Sequence, residues 1–139
     1  MDAMQDPGCV MAEPISDQTA YVFKICPLSD WRAAEATGAY SGSPDDVRDG
    51  FIHLSTAGQL SGTLTKHFPG RAGLVLLAFK ADTLGAALRF EPSRGGQLFP
   101  HLYRPLPAVA LAWLKPLALA ANGSHAIPNL SEFVAGPAL

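Results

Sequence analysis

The chain has 139 residues, 48% of them hydrophobic and 16% charged, with a formal net charge of -2. That length is one domain with enough apolar residues for a sizeable core. The slight acidity excludes a broad surface for long nucleic acid or anionic membrane, which needs clustered lysine and arginine. Two cysteines, Cys9 and Cys26, do not make a disulfide framework, and no Cys/His spacing points to structural zinc. No apolar run reaches the ~18 residues of a membrane span. The start carries Asp2, Asp6 and Glu13 and lacks a basic segment before an apolar one, so no secretory signal is expected and a cytoplasmic location is.

Residues 1–20 hold Pro7, Gly8 and Pro14 without periodicity and read as a loose extension. Tyr21-Val22-Phe23-Lys24-Ile25-Cys26 is aromatic and β-branched, and Pro27 stops it, which predicts a strand. Ser29 suits a helix cap, Asp30 the positive helix end and Gly38 the left-handed stop. A short helix over 30–38 follows, with Trp31 packed on the sheet. Residues 40–49, with Gly42, Pro44, Asp45, Asp46 and Asp49, are expected to be a plain polar connection. Phe51 to Leu54 is the second predicted strand. Ser55 or Thr56 caps a helix over Ala57–Phe68, whose Leu60, Leu64 and Phe68 recur at helical spacing.

Gly73 to Lys80 is a nearly continuous apolar run and predicts a central strand buried on both faces. Asp82 to Gly85 reads as a single helical turn, Leu88 to Glu91 as a strand, and Pro92 to Leu98 as a flexible loop. His101 to Tyr103 is a short extended stretch, and the prolines around it, Pro100 and Pro105, assign it to a sheet edge or pocket rim. Val109 to Leu114 is the last predicted strand. The domain is expected over 21–118, and 119–139 as a tail. Strands outnumber helices, and the helices fall early, which is an α+β pattern. Neither a GxGxxG nor a P-loop follows any strand.

Two segments carry the chemistry. In Gly50-Phe51-Ile52-His53-Leu54-Ser55-Thr56, strand alternation puts His53 and Ser55 on one face and Ile52 and Leu54 on the other. In Phe99-Pro100-His101-Leu102-Tyr103, His101 and Tyr103 share a face, and an imidazole beside a phenol can bind phosphate, a ribose hydroxyl or a base. Taken alone, His53 reads sooner as a core or edge histidine hydrogen-bonded to a loop, and His101 with Tyr103 reads equally as an aromatic cross-strand cluster. Glu91 closes a strand, where it can serve as a base or orient a ribose, and Arg94 in the following loop can clamp phosphate. A salt bridge between them is the plainer reading. His53, His101 and Glu91 lack a metal-binding spacing, His67 and His125 are expected to be solvated, and Ser55 beside His53 lacks the arrangement of a nucleophile pair.

The order Tyr21–Ile25, Trp31, Gly38, Asp49–Thr56 with Gln59-Leu60, then Glu91 and Phe99–Tyr103 resembles the family of domain of unknown function 952, over roughly Tyr21 to Lys115. The resemblance implies a small ADP-ribosyltransferase-like α+β fold: a split, bent, mostly antiparallel sheet with two main helices around a cleft where relatives bind NAD. His53-Leu54-Ser55 is also similar to the histidine-hydrophobe-serine strand of RNA 2′-phosphotransferases. This implies a pocket with His53, His101 and Glu91 as catalytic groups and Ser55, Thr56, Arg94 and Tyr103 as ligand-binding groups. NAD or a related nucleotide would be the cofactor and a small molecule the partner. The chain departs from such transferases in offering Phe23-Lys24-Ile25 where they carry a first-strand histidine or arginine, and His101 where a later strand often carries glutamate. The alternative is a non-catalytic binding or interaction module with structural histidines.

Overall fold

A computed structural model describes residues 21–130. The first sheet is built on β4 (Leu74–Lys80), which pairs antiparallel with β1 (Tyr21–Pro27) on one side and β8 (Leu111–Pro116) on the other. Six of the seven β4 residues are buried, as expected of a central strand covered on both faces. Alternation separates two cores. Val22, Cys26, Leu77 and Phe79 meet Trp31 on one face, while Phe23, Ile25 and Leu76 meet Leu60 and Leu64 on the other. Burial of Cys26 pushes its thiol up to about 12, so it is inert packing. Cys9 lies outside the described residues.

Helix α1 (Leu28–Thr37) begins directly after Pro27, earlier than expected, and Ser29 lies within its first turn instead of capping it. The Leu28 amide donates to the Gly73 carbonyl at 3.0 Å, so a tertiary acceptor replaces a side-chain cap. Gly38 does end the helix in the left-handed region, at φ 95°. A two-residue strand β2 (Ala39–Tyr40) follows and pairs with β7 (Leu106–Pro107).

The expected plain connection over 40–49 is instead partly helical: α2 spans Pro44–Asp49. Ser43 accepts from the Asp46 amide at 3.2 Å, and the Asp46 side chain accepts from the Ser43 amide at 2.9 Å. This is a capping box with Pro44 at the first helical position.

The second sheet has the order β3 (Ile52–His53), β6 (Leu98–Leu102), β5 (Leu88–Pro92), all antiparallel. The FPHLY segment is thus the centre of this sheet and not its edge. Pro100 is accommodated because its carbonyl accepts from the Leu54 amide at 3.0 Å, just beyond the end of β3, so its missing N–H forfeits a bond only there. Phe23 and Ser55 exchange both backbone hydrogen bonds, at 2.8 and 2.9 Å, and join the two sheets at this point. The result is an α+β fold with a split antiparallel sheet.

A reciprocal capping box of Thr56 with Gln59 starts the turn that leads into α3 (Leu60–His67). Leu117 and Leu130 are buried in the second core, and a hairpin of β9 (Ala118–Leu119) and β10 (His125–Ala126) lies between them. Among the described residues, no helix is long and apolar enough to cross a membrane.

Candidate functional site

Strands β3 and β6 place His53 and His101 directly opposite one another in register. Ile52, Leu54 and Leu102 go to the core, which leaves Phe51, His53 and Ser55, with Phe99, His101 and Tyr103, on the other face. The Phe51 ring stacks on His101 at 4.1 Å between centroids, and it also meets His53 at 4.7 Å and Tyr103 at 5.2 Å. The two imidazoles stand edge to face, 5.6 Å apart.

A carboxylate holds each imidazole through Nδ1: Asp46 Oδ1 at 2.6 Å from His53 and Glu91 Oε1 at 2.8 Å from His101. Glu91 Oε1 also accepts from the Tyr103 hydroxyl at 2.7 Å. The Tyr103 and His101 hydrogen bonds hold the Glu91 carboxyl below the usual carboxylate range, and the same bond raises the Tyr103 phenol.

Asp46 is the hub. Its carboxylate accepts from Lys24 Nζ at 2.8 Å, from the Ser43 amide at 2.9 Å and from the His53 amide at 3.0 Å, besides the imidazole contact. Lys24 Nζ also donates to the His53 carbonyl at 3.0 Å. Burial alone would raise the Asp46 carboxyl, but the hydrogen bond to His53, the charge and hydrogen bond of Lys24 and the Ser43 amide outweigh it. They hold the carboxyl well below the usual range.

These contacts answer a backbone need. Antiparallel pairing that continued from Phe23 and Ser55 would set His53 against Ile25, but β1 and β3 part company there. The His53 N–H and C=O on that side are taken instead by Asp46 and Lys24.

The parting opens a cleft of about 530 Å³, lined by His53, His101 and Ser55. Ser55 Oγ lies 3.0 Å from Thr63 Oγ1 of α3. Asp49, from the end of α2, lines the cleft and places Oδ2 3.0 Å from His53 Nε2. Its hydrogen bond to Arg48 lowers its carboxyl. Lys66 and Arg71 also line the cleft, and neither has a carboxylate partner among the described residues.

The structure thus brings His53, His101 and Ser55 into one cleft. Glu91 and Tyr103 adjoin it through His101 and Phe51, and Thr56 caps the following turn. The backbone of Arg94 opens a short turn, Arg94–Gly96, while its side chain is outside the described part of the structure. His67, expected to be solvated, lines the cleft, and His125 Nε2 lies 2.7 Å from the Arg71 carbonyl.

Sequence reasoning missed Lys24, Asp46, Asp49, Lys66 and Arg71. Two signals were available: Ser43-Pro44-Asp45-Asp46 is a capping-box pattern, and a lysine between inward-facing Val22 and Cys26 must find an anion. No group of three or more His, Cys, Asp or Glu among the described residues is placed to hold a metal ion.

Comparisons with other proteins agree with this architecture. The family model described as protein of unknown function (DUF952) matches residues 25–114. No curated protein matches the chain. The X-ray crystal structure of protein CC0527 from Caulobacter crescentus is similar at 45% identity and a TM-score of 0.74, covering 81% of this chain and 96% of that one. The solution NMR structure of the same protein is similar at 45% identity and a TM-score of 0.69, covering 84% and 97%.

Proposed function

The chain belongs to the DUF952 family, described as proteins of unknown function, and from its cleft we propose that it binds a nucleotide or another small phosphorylated molecule in a site of ADP-ribosyltransferase type. One observation carries this reading: the histidines of the two motif segments line a single open cleft. A volume of about 530 Å³ lies within the ~300–1,000 Å³ of small-molecule sites. Lys66 and Arg71 supply positive charge to a phosphate, and the imidazoles and the Ser55 hydroxyl supply further hydrogen-bonding groups.

In this reading His53 is the acid/base or ribose-orienting group and Asp46 fixes its ring. Glu91, which the cleft meets only through His101, is a positioning residue. NAD and its fragments are the first ligands to test, although Lys24 stands on the first strand and is spent on Asp46. Calorimetry of the full chain against NAD, ADP-ribose, ADP and AMP tests the proposal. Binding by the wild type that weakens at least tenfold in His53→Ala and His101→Ala is expected. No binding, or equal binding by the variants, would sink it.

A second reading, a non-catalytic binding module, draws on the internal bonding of both Nδ1 atoms and on a His101 side chain only 6% exposed. It expects ligand binding with no chemical turnover.

A further inference from the structure

Resting on that reading of the cleft, we infer that His53 and His101 act as an acid–base pair that hydrolyses a phosphodiester of nucleotide size. Several features point this way. The two rings are direct cross-strand partners 5.6 Å apart, so both reach one phosphoryl group in the cleft. Each Nδ1 is tied to a carboxylate of the fold, which fixes the ring and assigns Nε2 to exchange with a ligand. The two environments also differ, as acid and base roles require. His53 has carboxylate oxygens at both nitrogens, Asp46 at 2.6 Å and Asp49 at 3.0 Å, and a carboxylate accepts only from a nitrogen that carries a proton. His101 has one carboxylate, which it shares with Tyr103, and its Nε2 has no partner among the described residues.

The step balances with water as the second reactant. The water oxygen attacks phosphorus while His101 Nε2 takes its proton. The bond from phosphorus to the departing ester oxygen breaks, and His53 Nε2 gives that oxygen its proton. A phosphomonoester and an alcohol leave, and solvent restores the two proton states. Lys66 and Arg71, which line the same cleft, offset the charge on the phosphoryl oxygens. Asp49 Oδ2, 3.0 Å from His53 Nε2, stands where the ester oxygen must come. It is a third exposed, and the diester displaces it.

The test uses two diesters with the full chain: a 2′,3′-cyclic nucleoside monophosphate, whose leaving oxygen needs a proton, and a nucleoside 5′-(4-nitrophenyl phosphate), whose leaving group does not. His101→Gln is expected to lower kcat on both by about 10²-fold or more. His53→Gln should do so on the cyclic diester and by less than about tenfold on the nitrophenyl ester, because only the first asks for the acid. Both variants must melt as the wild type does. If either fails to fold, Asp49→Asn in the wild-type background replaces it and is expected to lower KM for the cyclic diester. AMP binding without turnover of either diester overturns the pair while leaving the binding reading intact. Neither binding nor turnover removes both. Turnover that survives His53→Gln and His101→Gln unchanged, or an Asp49→Asn variant with unaltered KM, also overturns the assignment.

Discussion

Replacing Asp46 by alanine is the perturbation with the largest expected effect on stability. The carboxylate is 2% exposed and accepts from Lys24, the Ser43 amide, the His53 amide and the His53 ring. Its loss leaves the Lys24 ammonium, 8% exposed, with the His53 carbonyl as its remaining acceptor. Removing one member of a buried ion pair costs about 3–5 kcal/mol, a large fraction of the ~5–15 kcal/mol that holds such a domain together. At a urea slope of about 2 kcal/mol/M, the midpoint should fall by about 2 M. Lys24→Met should cost less, because Asp46 keeps its other donors. The double variant Lys24→Met/Asp46→Ala should be destabilised by less than the sum of the single changes, with a coupling of about 1–3 kcal/mol. Urea unfolding followed by tryptophan fluorescence reads all three. An Asp46→Ala midpoint within about 0.3 M of wild type, or strict additivity in the double variant, would refute the reasoning.

Three further outcomes follow from the same geometry. The Asp46 carboxyl titrates below its unfolded value of about 3.9, so the stability it confers is complete above that pH and is lost as pH falls toward the native value. Urea midpoints from pH 7 to pH 2 should therefore drop more steeply in wild type than in Asp46→Asn, and parallel curves would reject this. Gly42 has φ +114°, and a Cβ there would lie 2.7 Å from Asp46 Cβ; Gly42→Ala should cost about 1–3 kcal/mol, and an unshifted urea midpoint would show that the loop gives way freely. Tyr40 is 4% exposed and its hydroxyl has no hydrogen-bond partner among the described residues; Tyr40→Phe should gain about 1 kcal/mol and raise the melting temperature, whereas a lower one would show the hydroxyl to be satisfied.

The long elements and one face of each motif were legible in the sequence because their signals are local. Val22, Phe23 and Leu74–Phe79 are apolar enough to force burial, and Gly38 and Thr56 mark helix boundaries by their own chemistry. Strand alternation placed His53 with Ser55 and His101 with Tyr103, as the structure does. The second layer of the site was not legible in this way. The contacts of Asp46 with Lys24 and of His101 with Glu91 span 22 and 10 residues and depend on where the sheet splits. The helix start at Ser43 was a local signal, but Gly42, Pro44 and three aspartates also fit a solvated loop. Pro100 misled for a physical reason: proline is barred from a central strand only where its N–H is needed, and β3 ends before that point.

The split explains why the chain keeps a buried ion pair at all. An apolar pair of similar size at Lys24 and Asp46 is often no less stable than the ions. Here it would leave the His53 N–H and C=O without the partners they have on the side where β1 has departed, at about 1–3 kcal/mol for each unsatisfied group. Lys24 and Asp46 therefore stand in for a missing length of strand pairing. They do so with side chains that take up less of the gap than a strand would, so the cleft stays open beside His53. The same carboxylate that closes the backbone account also fixes the imidazole, at 2.6 Å. A substitution that damages the fold at Asp46 must accordingly damage the site, whereas one at Asp49, which touches His53 Nε2 from the end of α2, can change the site and leave the sheet intact.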